Sequence, residues 1–128
     1  MEILGTGIDI VENLRIKKSL QNKQFIYRIF SSNEILLSKN FKNKTNYYSK
    51  RFAAKEAFAK SIGTGFRDGL NFKDVSIINN KLGKPSFLIT DKLKKIVKRQ
   101  FKTSSFNFFL SISDEKKYSV ALVILQKN

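Results

Sequence analysis

Arg51-Phe-Ala-Ala-Lys-Glu-Ala-Phe-Ala-Lys-Ser-Ile62 runs straight into Gly63-Thr-Gly65. The stretch reads as a helix stopped by a glycine. It carries one acid, Glu56, among four alanines and three bases. At about 100° per residue, Phe58, Arg51, Ile62, Lys55, Ala59 and Phe52 succeed one another around such a helix. Arg51 and Lys55 therefore lie inside an apolar arc. Bases placed there call for an anion, or else they snorkel along the edge of the core.

Working outward, the helix is predicted from about Tyr47 to Ile62, after a polar connector over Asn40 to Asn46. Ser31-Ser-Asn-Glu34 has the spacing of a capping box and opens a short helix before it. Leu14 to Phe30 mixes short helical pieces with bases. At the start of the chain, Gly5-Thr-Gly-Ile-Asp-Ile-Val11 lies in a strand predicted over Ile3 to Val11. Period-two alternation puts Gly5, Gly7 and Asp9 on one face. Two missing side chains beside Asp9 suggest room for a ligand, although glycine in a strand is more often a bulge or a packing device.

Downstream, Val75–Asn79 and Ser86–Ile89 flank a glycine-containing loop and read as a hairpin. Thr90 caps a helix with Leu93, Ile96 and Val97 at helical spacing. Phe106, Phe108, Leu110 and Ile112 alternate as in a strand, and Asp114 to Lys117 turns the chain into a last strand, Tyr118 to Leu125. This order predicts one α+β domain over residues 1–128, an antiparallel sheet packed against a long central helix. Phe109 interrupts the alternation, so the Phe106–Ile112 strand carries Phe on both faces. Both faces then need cover, and a second subunit is a natural cover for one.

Composition removes several chemistries. The 128 residues contain no Cys and no His. That excludes disulfides, thiolate nucleophiles, thiolate zinc sites and imidazole bases. A metal here is expected to be a hard, oxygen-seeking cation such as Mg²⁺. The net charge of +15 points to a polyanionic partner or, equally, to a solvated lysine-rich face. Met1-Glu2-Ile3 lacks the basic start of a secretory leader, and the longest apolar run, Val120 to Leu125, is too short to span a bilayer. The expectation is a cytoplasmic protein with no membrane partner.

Ten acids are few enough to sort. Glu34 is assigned to its capping box, and Asp91 to a helix first turn. Asp114 and Glu115 go to a hairpin turn, Asp68 and Asp74 to loops, and Glu2 to the terminus. Glu12 points away from Asp9 by alternation. Asp9 and Glu56 remain as the best pair for a hard cation. Glu56 and Lys60 also stand in the favourable order for an i,i+4 ion pair, a solvated-surface reading that the residues alone leave open. The Gly63-Thr64-Gly65 turn offers backbone N–H groups to a phosphate, or simply caps the helix.

Four motifs in order also match a known family. They are Gly-Ile-Asp-Ile-Val near the start, the Arg51–Lys60 helix with its Gly-Thr-Gly, Gly83-Lys-Pro85, and Leu110-Ser-Ile-Ser113. Together they resemble the holo-[acyl-carrier-protein] synthases, the short bacterial-type 4′-phosphopantetheinyl transferases, across nearly the whole chain. The resemblance implies transfer of the 4′-phosphopantetheine arm of coenzyme A to a serine of apo-acyl carrier protein, in support of fatty acid biosynthesis. It implies Mg²⁺ on Asp9 and Glu56, with Lys60 completing the catalytic set. It implies coenzyme A contacts from Arg51, Lys55, Gly63, Thr64, Gly65, Lys84, Pro85 and Ser113. It further implies a homotrimer with interfacial sites, and an acidic carrier protein meeting Arg15, Lys18 and Arg28. The family often carries His where this chain has Asp114, and Asp cannot donate to a phosphate as His does. The competing class is a small basic nucleic-acid-binding protein. It accounts for the charge but not for acids in an apolar strand and an alanine-rich helix, and no binding motif supports it.

Overall fold

In chain order the elements are β1 (Glu2–Glu12), α1 (Asn13–Ser19), α2 (Lys23–Ile29), α3 (Ser32–Leu37), α4 (Lys44–Ile62), β2 (Ile77–Asn79), β3 (Pro85–Phe87), α5 (Asp91–Phe101), β4 (Phe106–Asp114) and β5 (Tyr118–Lys127). They come from a computed structural model that describes residues 1–128. β1, β5 and β4 form an antiparallel sheet with β5 in the middle, and β2 and β3 form a separate ribbon whose β3 lies against β4. This is the expected α+β architecture.

Three local expectations shift. α4 begins at Lys44 because the Asn43 side chain accepts from Asn46 N–H at 3.0 Å, so the polar connector is shorter than its composition suggests. β2 begins at Ile77 rather than Val75, whose carbonyl is taken by the Lys55 side chain of α4, and β3 spans Pro85–Phe87. Asp114 ends β4 rather than entering the turn, and Glu115 makes that turn by accepting from Lys117 and Tyr118 N–H.

Helix α4 lies across the inner face of the sheet. Its small residues Ala53, Ala54 and Ala57 are fully buried and let the layers close together. Gly5 and Gly7 complete this. A Cβ on Gly5 would stand 1.9 Å from the Ser61 carbonyl oxygen, and one on Gly7 would stand 1.9 Å from that of Ala57. The space that the glycines open beside Asp9 is therefore filled by helix backbone, not left for a ligand. Their role is close packing, and it brings β1 against the turn of α4 that carries Glu56 and Lys60.

The register places Gly5, Gly7 and Asp9 opposite Leu125, Val123 and Ala121. That face looks at α4. The opposite face carries Ile8, Ile10, Leu122 and Phe109, all exposed. No helix is long and apolar enough to cross a membrane.

Candidate active site

Asp9 on β1 and Glu56 on α4 meet in one cleft of about 420 Å³, which Lys60, Arg15, Glu12, Phe25 and Phe52 also line. Lys60 Nζ donates to Asp9 Oδ1 at 3.0 Å and to the Ile8 carbonyl at 2.9 Å. The i,i+4 relation of Glu56 and Lys60 thus gives way to a cross-element pair: the ammonium reaches the strand acid. Burial pushes the Glu56 carboxyl above the usual carboxylate range, the negative charge of Asp9 pushes it further, and Lys60 opposes both. Two acids crowded on one wall favour a cation between them. Alternation set Glu12 aside, but β1 ends there and the chain turns into α1, so Glu12 returns to the cleft wall.

A second cluster lies on the buried side of α4. Lys55 is fully buried, with Nζ 2.7 Å from Glu34 Oε1, and it also donates to the carbonyls of Phe72 and Val75. Burial pushes its ammonium below the usual lysine range, and the Glu34 charge opposes that shift. The anion that the apolar arc calls for is thus inside the chain. Glu34 does form the capping box, accepting from Ser31 N–H at 2.9 Å, but it is wholly buried and also accepts from Ile77 N–H at 3.2 Å. Arg51 lies with its guanidinium 3.9 Å from the Tyr47 ring centroid, and its Nε is 4.0 Å from Glu34. Its Nη2 donates to Asn79 at 2.7 Å. Arg51, Lys50, Asn79, Gly83, Pro85 and Asp114 line a small cavity of about 150 Å³.

Residues 5–123 match the family described as the 4′-phosphopantetheinyl transferase superfamily. The chain is 74% identical to the holo-[acyl-carrier-protein] synthase of Pelagibacter ubique, over 99% of each chain. This chain belongs to the holo-[acyl-carrier-protein] synthase family. Its fold matches the crystal structure of that synthase from Neisseria meningitidis with a TM-score of 0.88 and 38% identity, covering 98% of this chain and 99% of the other. It matches the Bacillus anthracis synthase in complex with CoA (3′,5′-ADP) with a TM-score of 0.82 and 35% identity over the whole of both chains. Nothing in these likenesses favours the nucleic-acid-binding reading.

Not all of the family-implied contacts come together within one chain. Lys55 is turned inward, so in this fold it holds the Phe72–Val75 segment rather than facing a ligand. The N–H groups of Gly63 and Gly65 both donate to the Ala59 carbonyl, at 3.1 and 3.4 Å, and the Thr64 hydroxyl donates to the Gly65 carbonyl. With Gly63 at φ 91°, the turn is a helix C-cap, and these donors are spent on it. Pro85 lies on the Arg51 cavity, and Lys84 is exposed beside it. Ser113 points to the outer face of the sheet, opposite to its cavity-lining neighbours Ile112 and Asp114. Sequence reasoning missed Lys50 and Asn79 as cavity residues. The only signal for Asn79 was its place just before the Gly83-Lys-Pro85 loop.

Proposed function

We propose that this chain transfers the 4′-phosphopantetheine group of coenzyme A to a serine hydroxyl of apo-acyl carrier protein. A bond forms between the serine Oγ and the phosphorus that bears the pantetheine arm. The pyrophosphate bond breaks, and adenosine 3′,5′-bisphosphate leaves. The observation that carries this reading is the meeting of Asp9, Glu56 and Lys60 in one open cleft, within a fold shared with a relative described in complex with CoA.

Asp9 and Glu56 are the residues that would hold Mg²⁺. Their all-oxygen donor set suits that ion, and the raised Glu56 carboxyl marks a wall where positive charge is favoured. The chemistry such a cation supplies when bound is neutralisation and orientation of a pyrophosphate. The Lys60 ammonium, anchored on the Ile8 carbonyl, is placed to stabilise negative charge at the cleft. The chain has no His, so the serine Oγ proton leaves to a carboxylate or to water. Arg51, with Lys84 and Pro85, forms the phosphate end of the coenzyme A site.

Arg15, Lys18 and Arg28 are exposed on α1 and α2, and Arg15 stands on the cleft itself. This is the surface we assign to the acidic carrier protein. The apolar outer face of the sheet is assigned to a homotrimer, and Ser113 on that face would reach coenzyme A at a subunit boundary. The protein is taken to work in the cytoplasm, supplying holo-carrier protein for fatty acid synthesis.

Incubation with coenzyme A, Mg²⁺ and apo-acyl carrier protein is expected to add the mass of one phosphopantetheine to the carrier. Asp9→Ala and Glu56→Ala are each expected to abolish that addition while remaining folded by circular dichroism. Near-normal transfer by either folded variant removes these acids from the site, and no mass addition by the wild-type chain refutes the reaction.

A further inference from the structure

Asn79 ends β2 on the protein surface, yet both ends of its side chain are engaged. Oδ1 accepts from Arg51 Nη2 at 2.7 Å, and Nδ2 donates to the Gly83 carbonyl at 3.0 Å. The bond from Arg51 is the only hydrogen bond made by that guanidinium: Nε is buried without a partner, and Glu34 lies 4.0 Å away. The other holds on the guanidinium are not hydrogen bonds: the Tyr47 ring at 3.9 Å, the Phe41 ring at 5.9 Å and the charge of Glu34 at 4.0 Å. Neither a ring face nor a charge 4.0 Å away fixes the direction of an N–H group. One directional bond sets where its outer nitrogens point.

What the guanidinium would do without that bond is legible from the cavity. Asp114 lines the same small space as Arg51 and is tethered only by Asn46 Nδ2, at 2.8 Å. A released Arg51 has an acid close at hand. Pairing with it neutralises both and removes the cation from any anionic ligand. The other arm of Asn79 holds the Gly83 carbonyl, at a glycine with φ 88°, directly before Lys84-Pro85.

We propose that Asn79 is a positioning residue for coenzyme A binding, aiming Arg51 into the cavity and away from Asp114 while pinning the Gly83–Pro85 turn. The inference rests on the reading that this cavity takes the phosphate end of coenzyme A. Asn79 itself need not touch the substrate. Its effect passes through Arg51 and the turn, so it appears in the KM for coenzyme A and not in the KM for carrier protein.

The test measures steady-state transfer by Asn79→Ala, by Asn79→Ala with Asp114→Asn, and by Lys84→Ala. Loss of a bond to a charged group is expected to raise the coenzyme A KM about tenfold in Asn79→Ala. The carrier-protein KM and the melting temperature should stay at wild-type values. Adding Asp114→Asn is expected to restore most of the coenzyme A affinity, because the cavity then offers Arg51 no acid to collapse onto. A loop damaged in general would show no such rescue, so a raised KM that Asp114→Asn leaves unchanged overturns the proposal. A wild-type KM in Asn79→Ala, with a raised KM in Lys84→Ala, also overturns it and leaves the cavity reading standing. Wild-type values in both Asn79→Ala and Lys84→Ala overturn the cavity reading as well.

Discussion

Glu56 carries its charge where the surroundings resist it. Burial acts first and Asp9 second, and both favour the protonated form. A carboxyl whose folded pKa lies above its unfolded value binds its proton more tightly in the native state. Its stabilising effect is complete below the ordinary carboxylate range and is lost as pH rises through the raised value. Glu56→Gln is therefore expected to melt higher than wild type at neutral pH, with the gain shrinking on acidification and absent below about pH 4. Melting curves across pH check this; an equal gain at acid and neutral pH would contradict it. If Asp9 and Glu56 hold Mg²⁺, saturating Mg²⁺ raises the wild-type melting temperature, and Glu56→Gln responds less. Glu34 is a buried acid whose partners come from outside its own helix. Its capping-box spacing was correct and incomplete, because spacing along a helix says nothing about which side chain arrives from α4. Tyr47 shares that buried corner. Burial pushes its hydroxyl up to about 12, and it donates to the Glu34 carbonyl.

At the scale of elements, the approach of β1 to α4 decides the site. The two glycines adjoin helix carbonyls, and neither has a positive φ, so what each supplies is space. Gly7→Ala is expected to cost about 3 kcal/mol, at the upper end of ordinary overpacking, since helix backbone cannot yield as a side chain does. Chemical denaturation measures it. A cost within about 0.5 kcal/mol, the size of an ordinary surface change, would mean that the layers are not in contact there. The same change is expected to lower transfer activity in whatever fraction stays folded, because it moves Glu56 and Lys60 away from Asp9. The amphipathic helix α5 was read correctly from its pattern: Thr90 caps it by accepting from Leu93 N–H, and Leu93, Ile96 and Val97 are buried.

For the whole molecule, the outer face of the sheet sets the question. Ile8 is 61% exposed, Ile10 63%, Phe109 49% and Leu122 40% in the single chain. The register aligns Ile8 with Leu122 and Phe109 with Ile124, so these residues form one continuous apolar surface on adjacent strands. Apolar patches of that kind mark interfaces. Three chains of 14.8 kDa make an assembly of about 44 kDa. Light scattering is expected to report that mass, and Phe109→Lys is expected to reduce it to the single chain with loss of transfer, since an unpaired charge at a buried interface is costly. A fully active monomer at assay concentration would refute both the assembly and a site at its boundary.

The primary structure by itself determined the elements and their order, because apolar period, caps and turn glycines are local properties of neighbouring residues. It also singled out Asp9 and Glu56, because no cap, turn or exposed loop accounts for those acids. The tertiary structure alone decided which charges meet. Lys60 reaches Asp9 rather than Glu56, Lys55 is spent on Glu34, and the Gly63 and Gly65 amides close a helix end on the Ala59 carbonyl. Each outcome depends on the distance between groups far apart in the chain. Electrostatic and hydrogen-bond energies fall steeply with that distance, and only the packing of α4 on the sheet sets it.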